Sequence, residues 1–565
     1  MVFRSKLPLP LTPQCDVFHY IFHHGRRNYP RSRVLYTVDG TDEQLTLAEL
    51  EDQSRRVARA LRAHYGIKPQ DVVAIFARDK IQYPIAYFGA LAAGATVALI
   101  PVQASPAPSD IARHLQQTRA QLLITDTHVL SLTEAACELL VRDVRLPLIT
   151  LDESSSQHAS LANLTTTVFC HDHIEDELFR LYTPEAADAH TGFINRTSGS
   201  TGNMKCVLVS HAHFIATMEG TRNTVPSNTS PDDDTWLSPL SLGFFINAKL
   251  NMGLNILLGV RVVLVPSQPD PSAANTVDLI ARHRISFLFI TPPLAAQLAR
   301  LDLAATQAQT RSIKWLLSAG APIHENLREA VSRRFHNTPL NLELGTAETM
   351  LISIQYDAES RVPGSAGALV TGMEAKVLDP ATGLEQTGHG SGYAGEILVR
   401  NTLARYRGYQ DDDAANAAAF DGEGWFHTGD FGYLDAQGNV FVVDRMKELI
   451  KTGGGYGVHV SAAELEAVLF THPAVASVVV LGVREEGSQK DLPTAFVVPK
   501  GMKSPLRKEE MVEVQEAVAR FAEKRLMGLQ RLSGGVYCLP ELPRTGFKVN
   551  RRALRELATT RTRCS

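Results

Sequence analysis

Residues 85–102 carry no charged side chain. A run of that length must leave water, either into a bilayer or into a protein core. Gly89, Gly94 and Pro101 divide it, so it reads as a buried helix running into a buried strand over residues 96–101. A strand that is apolar on both faces belongs to a parallel sheet covered by helices on its two sides. The chain is therefore expected to be α/β.

The flanking sequence repeats that pattern. Thr46 and Glu49 form a capping box, Leu47, Leu50, Val57 and Leu61 recur at helical spacing, and Gly66 follows as terminator, which predicts a helix over residues 46–65. Short apolar runs at 72–76, 121–125, 260–265, 287–290 and 314–317 alternate with helical stretches, as helix-covered parallel sheets require. From 395 to 443 the character changes to short alternating runs such as 396–400 and 440–443, separated by Gly and Asp turns, which predicts a smaller β-rich unit. Beyond Asp444-Arg445 an α+β pattern begins. It has a helix opened by Ser461 and Glu464, strands at 476–482 and 494–498, and an amphipathic helix at 509–525. We divide the chain into a large unit, 1–444, and a small C-terminal unit, 445–565. A length of 565 residues is too great for one ordinary core.

Composition narrows the partners. A net charge of -4 and 21% charged residues give no electrostatic reason to expect nucleic acid or an anionic membrane. Six cysteines (Cys15, Cys137, Cys170, Cys206, Cys538, Cys564) are scattered without a CxxC pair, which argues against a disulfide framework or zinc knuckle and for a reducing compartment. No apolar signal region develops after Met1, and Arg563-Cys564-Ser565 is not the peroxisomal Ser-Lys-Leu address. The expected location is cytoplasmic, without an integral membrane segment.

The chemistry concentrates in Thr197-Ser198-Gly199-Ser200-Thr201-Gly202-Asn203-Met204-Lys205, which follows an apolar run. Glycines let successive N–H groups turn toward one anion, hydroxyls add donors and the lysine supplies a point charge. The segment reads as a phosphate cradle. It is not a Walker A loop, which needs Gly-Lys-Ser/Thr in direct succession. A flexible Ser/Gly linker is the plain alternative, and the lysine at this offset speaks against it.

Thr-Ser-Gly-Ser-Thr-Gly-x-x-Lys-x-x-x-x-Ser-His, residues 197–211, resembles the signature of the adenylate-forming superfamily, which includes acyl-CoA synthetases, 4-coumarate:CoA ligases, luciferase and the adenylation domains of peptide synthetases. Later segments resemble that family's motifs in the same order. Glu343-Leu344-Gly345-Thr346-Ala347-Glu348 resembles the Tyr-Gly-x-Thr-Glu segment, with Leu344 for the aromatic that lies against adenine and Ala347 for the threonine. The resemblance makes Glu348 the magnesium ligand and Glu343, Leu344, Gly345 and Thr346 nucleotide contacts. Thr428-Gly429-Asp430 matches Thr-Gly-Asp, whose aspartate accepts from both ribose hydroxyls. Asp444-Arg445-Met446-Lys447 resembles the hinge, with Arg445 on the ribose, Lys447 as pivot and Lys451 serving thioester formation. Gly454 and Gly455 fall in the glycine loop that follows, which here carries an insertion. Pro543-Arg544-Thr545-Gly546-Phe547-Lys548 resembles the terminal motif and makes Lys548 the catalytic lysine.

By the same resemblance Gly320, Ala321 and Pro322 belong to the nucleotide site. The acyl pocket draws on Leu242, Phe244, Phe245, Asn247, Thr291, Ser318, Ala319 and Gly320. The family often has a Phe-His pair in the first of these segments; Leu242 or Gly243 stands at the histidine position. Apolar residues there suggest an aromatic or medium-length acid, and the same residues also read as plain core.

The implied reaction has two steps. A carboxylate attacks the α-phosphorus of ATP, with Lys548, Lys205 and magnesium on Glu348 offsetting charge, and pyrophosphate leaves. The small unit then rotates and a thiol displaces AMP. ATP, Mg2+ and coenzyme A, or a carrier protein's phosphopantetheine in trans, are the expected cofactors, and a small-molecule carboxylic acid is the expected substrate. The departures at Leu344, Ala347, Phe547, Met204 and Cys206 point to a specialised, secondary-metabolic member. Loading of a carrier protein, luciferase-like use of the adenylate, and a non-catalytic nucleotide-binding homologue are the rival readings.

Overall fold

The computed structural model describes the chain apart from residues 11, 12, 14, 25, 26, 103–106, 142–144, 153–157, 168–177, 198–203, 267–271, 453–458, 485–489, 501–507, 546, 547 and 563–565. The uncharged run folds as expected. Gln82–Ala92 is a helix buried on nearly every side, Gly94 turns the chain at φ 84°, and Thr96–Leu99 is a fully buried strand. Among the described residues no helix is long and apolar enough to cross a membrane.

That strand lies inside a seven-stranded sheet ordered Cys206–Ser210, Thr191–Arg196, Thr96–Leu99, Val72–Phe76, Leu122–Thr125, Leu148–Thr150, Ala159–Ser160. All neighbours are parallel except the first pair. A nine-stranded sheet lies beside it, with a parallel centre ordered Leu340–Leu344, Trp315–Ala319, Phe287–Phe289, Thr235–Leu237, Arg261–Leu264, Val34–Val38. The helix Leu47–Tyr65 carries the reciprocal capping box of Thr46 and Glu49 and ends at Gly66 in the left-handed region. Its Leu47, Leu50, Val57 and Leu61 are at most 1% exposed. Each such side chain contributes roughly 2 kcal/mol of burial, which is why helical spacing of these four positions decides the fold locally.

The β-rich unit is larger than its sequence suggested. Gly395–Asn401, Phe426–Leu434 and Val440–Arg445 form an antiparallel sheet that also takes in Met373–Leu378 and, on its edge, Phe3–Arg4. Two residues from the start of the chain could not announce themselves as a strand by periodicity. In this sheet Trp425 is fully covered, with Lys376 Nζ 4.6 Å and Arg400 Cζ 4.5 Å from its ring centre. Residue 444, where we divide the chain, lies on the strand Val440–Arg445. Beyond it, Ala462–Phe470 packs on Val475–Arg484 and Asp491–Pro499, and Lys508–Arg525 forms the long helix. Ser461 Oγ accepts from Glu464 N, as a helix start there requires.

Candidate active site

The cradle hangs from two antiparallel strands, with Arg196 in register with Cys206. Thr197 N donates to Lys205 O at 3.0 Å and Lys205 N donates to Thr197 Oγ1 at 3.0 Å, so the first and last residues of the loop close a neck. Ser198, Gly199, Ser200, Thr201 and Gly202 lie outside the described residues.

The chain at 408–410 runs along the outer side of Cys206–Ser210, with Leu208 N donating to Gly408 O and Gln410 N to Cys206 O, both at 2.9 Å. This places Tyr409 beside the neck. Lys205 Nζ lies 4.6 Å from the centre of the Tyr409 ring, an attractive cation–π arrangement. The phenol donates to Glu348 Oε1 at 2.6 Å. Burial, then the adjacent Glu348 charge, push the Tyr409 phenol above its ordinary range, so it stays a donor. Tyr409 thus joins the cradle lysine to the candidate metal carboxylate. Motif reading passed over it; the signal was an aromatic directly after Gly408, whose φ is 75°.

Glu348 itself sits on a tight turn. Thr346 Oγ1 accepts from Glu348 N and Thr349 N, both at 3.2 Å, and a Cβ on Gly345 would lie 2.1 Å from Met350 O, so only glycine fits there. Asn195 Nδ2 donates to Ala347 O at 3.2 Å, tying this turn to the strand that leads into the cradle. Leu344, at the aromatic position, is half-buried against the core.

The ribose candidates meet. Asp430 is in register with Arg445, whose Nε lies 2.8 Å from Asp430 Oδ1 and whose Nη1 donates to Thr428 O at 2.9 Å. Asp430 Oδ2 is buried and has no partner among the described residues. Burial pushes the Asp430 carboxyl up to about 6, and Arg445 pulls against that shift. A buried, unused carboxylate oxygen suits a hydroxyl donor such as a ribose diol.

The acyl candidates divide. Leu242 is fully buried in the core, and its N donates to Asp79 Oδ1 at 2.8 Å. Asn247 spends its amide on Leu240 O and Ser241 O, at 3.1 and 2.8 Å, and so clamps the turn. Thr291 caps the helix Pro292–Leu298. Ser318 is buried on the face shared with Leu316, away from Ala319. Leu242, Asn247 and Thr291 thus take part in local hydrogen bonds, whereas the buried Ser318 Oγ has no partner among the described residues. Phe244 and Phe245 remain half-open, with the Phe245 ring 5.5 Å from that of Phe193. Ala319 stands opposite Glu343, and Gly320 follows at φ 87°.

Glu343, expected among the nucleotide contacts, has its carboxylate paired with Lys249 Nζ, 2.5 Å from Oε1, deep in the protein. Lys249 had no motif to mark it.

The remaining candidates lie along the C-terminal stretch. Ala321 is half-buried and Pro322 exposed ahead of the helix Glu325–Arg334. Burial lowers the Lys447 ammonium pKa. Lys451 pairs with His459 in a two-residue ribbon, and Gly454 and Gly455 lie outside the described residues. Lys548 pairs with Thr545 in a short hairpin. The hairpin's intervening Phe547 also lies outside the described residues.

A closed loop neck, a cation, a carboxylate and an acceptor for a diol, grouped on helix-covered sheets, define a nucleotide-binding enzyme. The family model of the AMP-binding enzyme matches residues 22–409, and that of the AMP-binding enzyme C-terminal domain matches 464–547. The chain belongs to the AMP-binding enzyme family, within the adenylate-forming superfamily. It is 28% identical to a 4-coumarate–CoA ligase of Vanilla planifolia over 88% of this chain and 87% of that protein. It is also 28% identical to 4-coumarate–CoA ligase 2 of Nicotiana tabacum over 98% and 97%. Among solved structures, an anthranilate CoA ligase in complex with anthranoyl-AMP superposes with TM-score 0.79 at 21% identity, covering 98% of this chain and 99% of that one. A benzoate CoA ligase from Burkholderia xenovorans LB400 gives 0.75 at 22%, covering 96% and 99%.

Proposed function

We propose that the protein is an ATP-dependent carboxylic acid:CoA ligase that forms an acyl-adenylate and then an acyl thioester. The observation that carries this reading is the chain Lys205, Tyr409, Glu348, which gathers a cation and a carboxylate beside the neck of the phosphate loop. Lys205 faces the phosphates, Asp430 and Arg445 hold the ribose, and Leu344 packs beside the adenine. Among the described residues no three His, Cys, Asp or Glu side chains group to hold a metal. Glu348 would hold a magnesium ion, which takes hard oxygen ligands and keeps several from substrate and water. When bound it supplies positive charge against the triphosphate.

In the first step a substrate carboxylate oxygen bonds to the α-phosphorus and the bond to the pyrophosphate oxygen breaks. Lys548 offsets the charge that gathers there, which is worth roughly 3 to 4 kcal/mol for a well-aimed donor. In the second step a thiolate attacks the acyl carbon and AMP leaves. The unit beyond residue 444 turns about Lys447 between the steps and brings Lys451 and the loop at Gly454 and Gly455 to the thiol. Coenzyme A is preferred over a carrier protein because the curated relatives are named CoA ligases. A reducing, cytoplasmic setting is supported by the scattered cysteines, which form no CxxC pair. A place in specialised metabolism is supported by the substitutions at Leu344 and Ala347.

The test is acid-dependent pyrophosphate exchange into ATP across a panel of carboxylic acids, followed by CoA consumption with any acid that works. Exchange without CoA consumption would favour carrier loading, and no exchange with any acid would sink the reading. Lys548→Ala is expected to lower exchange by about a hundredfold or more; full activity in that variant would remove Lys548 from the mechanism.

A further inference from the structure

A cavity of about 470 Å³ opens where the large and small units meet. The large unit contributes Arg300, two residues past the helix Pro292–Leu298. The small unit contributes Lys500, directly after the strand Asp491–Pro499, and the stretch 540–544. None of the residues assigned above to ATP, the acid or the thiol lines it. The His324 and Phe470 rings, with centres 5.8 Å apart, meet across the same boundary between the units.

Three cations, Arg300, Lys500 and Arg544, line this space against one carboxylate, Glu541. Like charges gathered around one space repel, and the units come together here against that repulsion. An anion between them turns it into attraction. Much of the remaining wall is apolar, with Val498, Leu542 and Pro543. The wall is also tied to the candidate catalytic lysine. Pro543 O accepts from Asn550 N at 2.7 Å, and Arg544 pairs with Val549 in the hairpin where Thr545 pairs with Lys548. A ligand held between Arg300 and Arg544 therefore fixes that hairpin relative to the large unit.

We propose that this cavity binds a phosphate monoester with an apolar carbon body, and that its occupancy holds the small unit in the orientation described here, slowing the half-reaction that needs the other orientation. The inference rests on the ligase reading above, including the rotation between the steps. A guanidinium takes two phosphate oxygens at once, and an ammonium adds a point charge. A phosphate monoester is close to a dianion at neutral pH, which suits three cations and one carboxylate better than a monocarboxylate does. A few hundred Å³ with an apolar wall and a few convergent charges is the form of a small-molecule site. Because its wall is drawn from both units, rotation of one against the other dismantles the site. A ligand that binds only one orientation shifts the equilibrium toward it.

The probe is phenyl phosphate, with sodium chloride at equal ionic strength as the control. Each half-reaction is measured alone: pyrophosphate exchange without thiol, and thioester formation from preformed acyl-adenylate and CoA. In the wild type phenyl phosphate should slow one of them by about fivefold or more and leave the other unchanged. The double variant Arg300→Gln/Lys500→Gln, at two exposed positions, should keep both basal rates and lose the effect. Equal slowing of both half-reactions would overturn the proposal, since that is competition at the ATP site. So would slowing that survives in the double variant, or none in the wild type. Where the double variant fails to fold, calorimetric binding of phenyl phosphate decides: weaker binding by Arg300→Gln than by the wild type is expected, and equal binding overturns the site. No exchange with any acid sinks the ligase reading, whereas calorimetric binding that Arg300→Gln abolishes would still establish the site.

Discussion

Tyr409 acts through Glu348, 61 positions away in sequence. A hydrogen bond from a neutral donor to a buried charged group is worth about 1.5 to 3 kcal/mol. Tyr409→Phe should therefore slow pyrophosphate release by about tenfold or more, with the ring and its contact to Lys205 kept. An unchanged rate would make Tyr409 a packing residue. Asp430 gives a second, pH-resolved outcome. Its carboxyl is raised to about 6 by burial, so the anionic acceptor is lost as the pH falls through that value. The wild-type kcat/KM for ATP should decline below about pH 6, and Asp430→Asn should be weaker at neutral pH and lack that limb. Stability moves the other way: a raised carboxyl favours the folded state at low pH and loses that advantage as pH rises to about 6. Sequence motifs placed Asp430 and Arg445 because these belong to recognisable strings, and the register joins them directly. Tyr409 and Lys249 were not legible, since each acquires meaning only from a carboxylate distant in the chain.

At the scale of elements, the most legible features were local: the capping box at Thr46, the left-handed Gly66 and the apolar spacing between them need no tertiary information. How the acyl-side turn is held was not legible, for the opposite reason. Its Leu242 N donates to Asp79, 163 residues away in sequence, a partner that no local pattern announces. Asp79 is fully enclosed and burial, foremost, pushes it up to about 7, with the Leu242 N–H pulling back. Its unfolded value is 3.8, so the fold gives up stability as pH rises from about 4 to about 7, by about 4 kcal/mol in all. Asp79→Asn keeps an acceptor for Leu242 N and removes the titration. Its melting temperature should exceed the wild type's by more at pH 8 than at pH 5. Parallel profiles would show that Asp79 does not titrate in this range.

Across the whole molecule, one antiparallel sheet runs from Phe3–Arg4 at its edge to Val440–Arg445, and the turn carrying Lys447 leaves from its last strand. Asp430 and Lys447, the proposed ribose carboxylate and pivot, are thus neighbours on one scaffold, with Met446 N donating to Gly429 O at 2.8 Å. On the far side, the His324 and Phe470 rings stack at 5.8 Å between the large unit and the helix Ala462–Phe470. Lys447→Pro fixes one backbone angle near −65° in that turn. It should leave pyrophosphate release near the wild-type rate and cut thioester formation at least tenfold; equal loss in both steps would place the pivot elsewhere.

The cations that flank Trp425 have an optical consequence. The chain has three tryptophans, and Trp236 and Trp315 are packed against Phe287 at 4.8 and 4.3 Å in the core. Trp425 alone stands between an ammonium and a guanidinium, three residues ahead of Thr428. Its emission should respond to charges on the sheet that holds Asp430, while the other two tryptophans sit in an apolar interior. Trp425 is therefore the tryptophan expected to report on nucleotide titration, and the difference spectrum of Trp425→Phe isolates its signal.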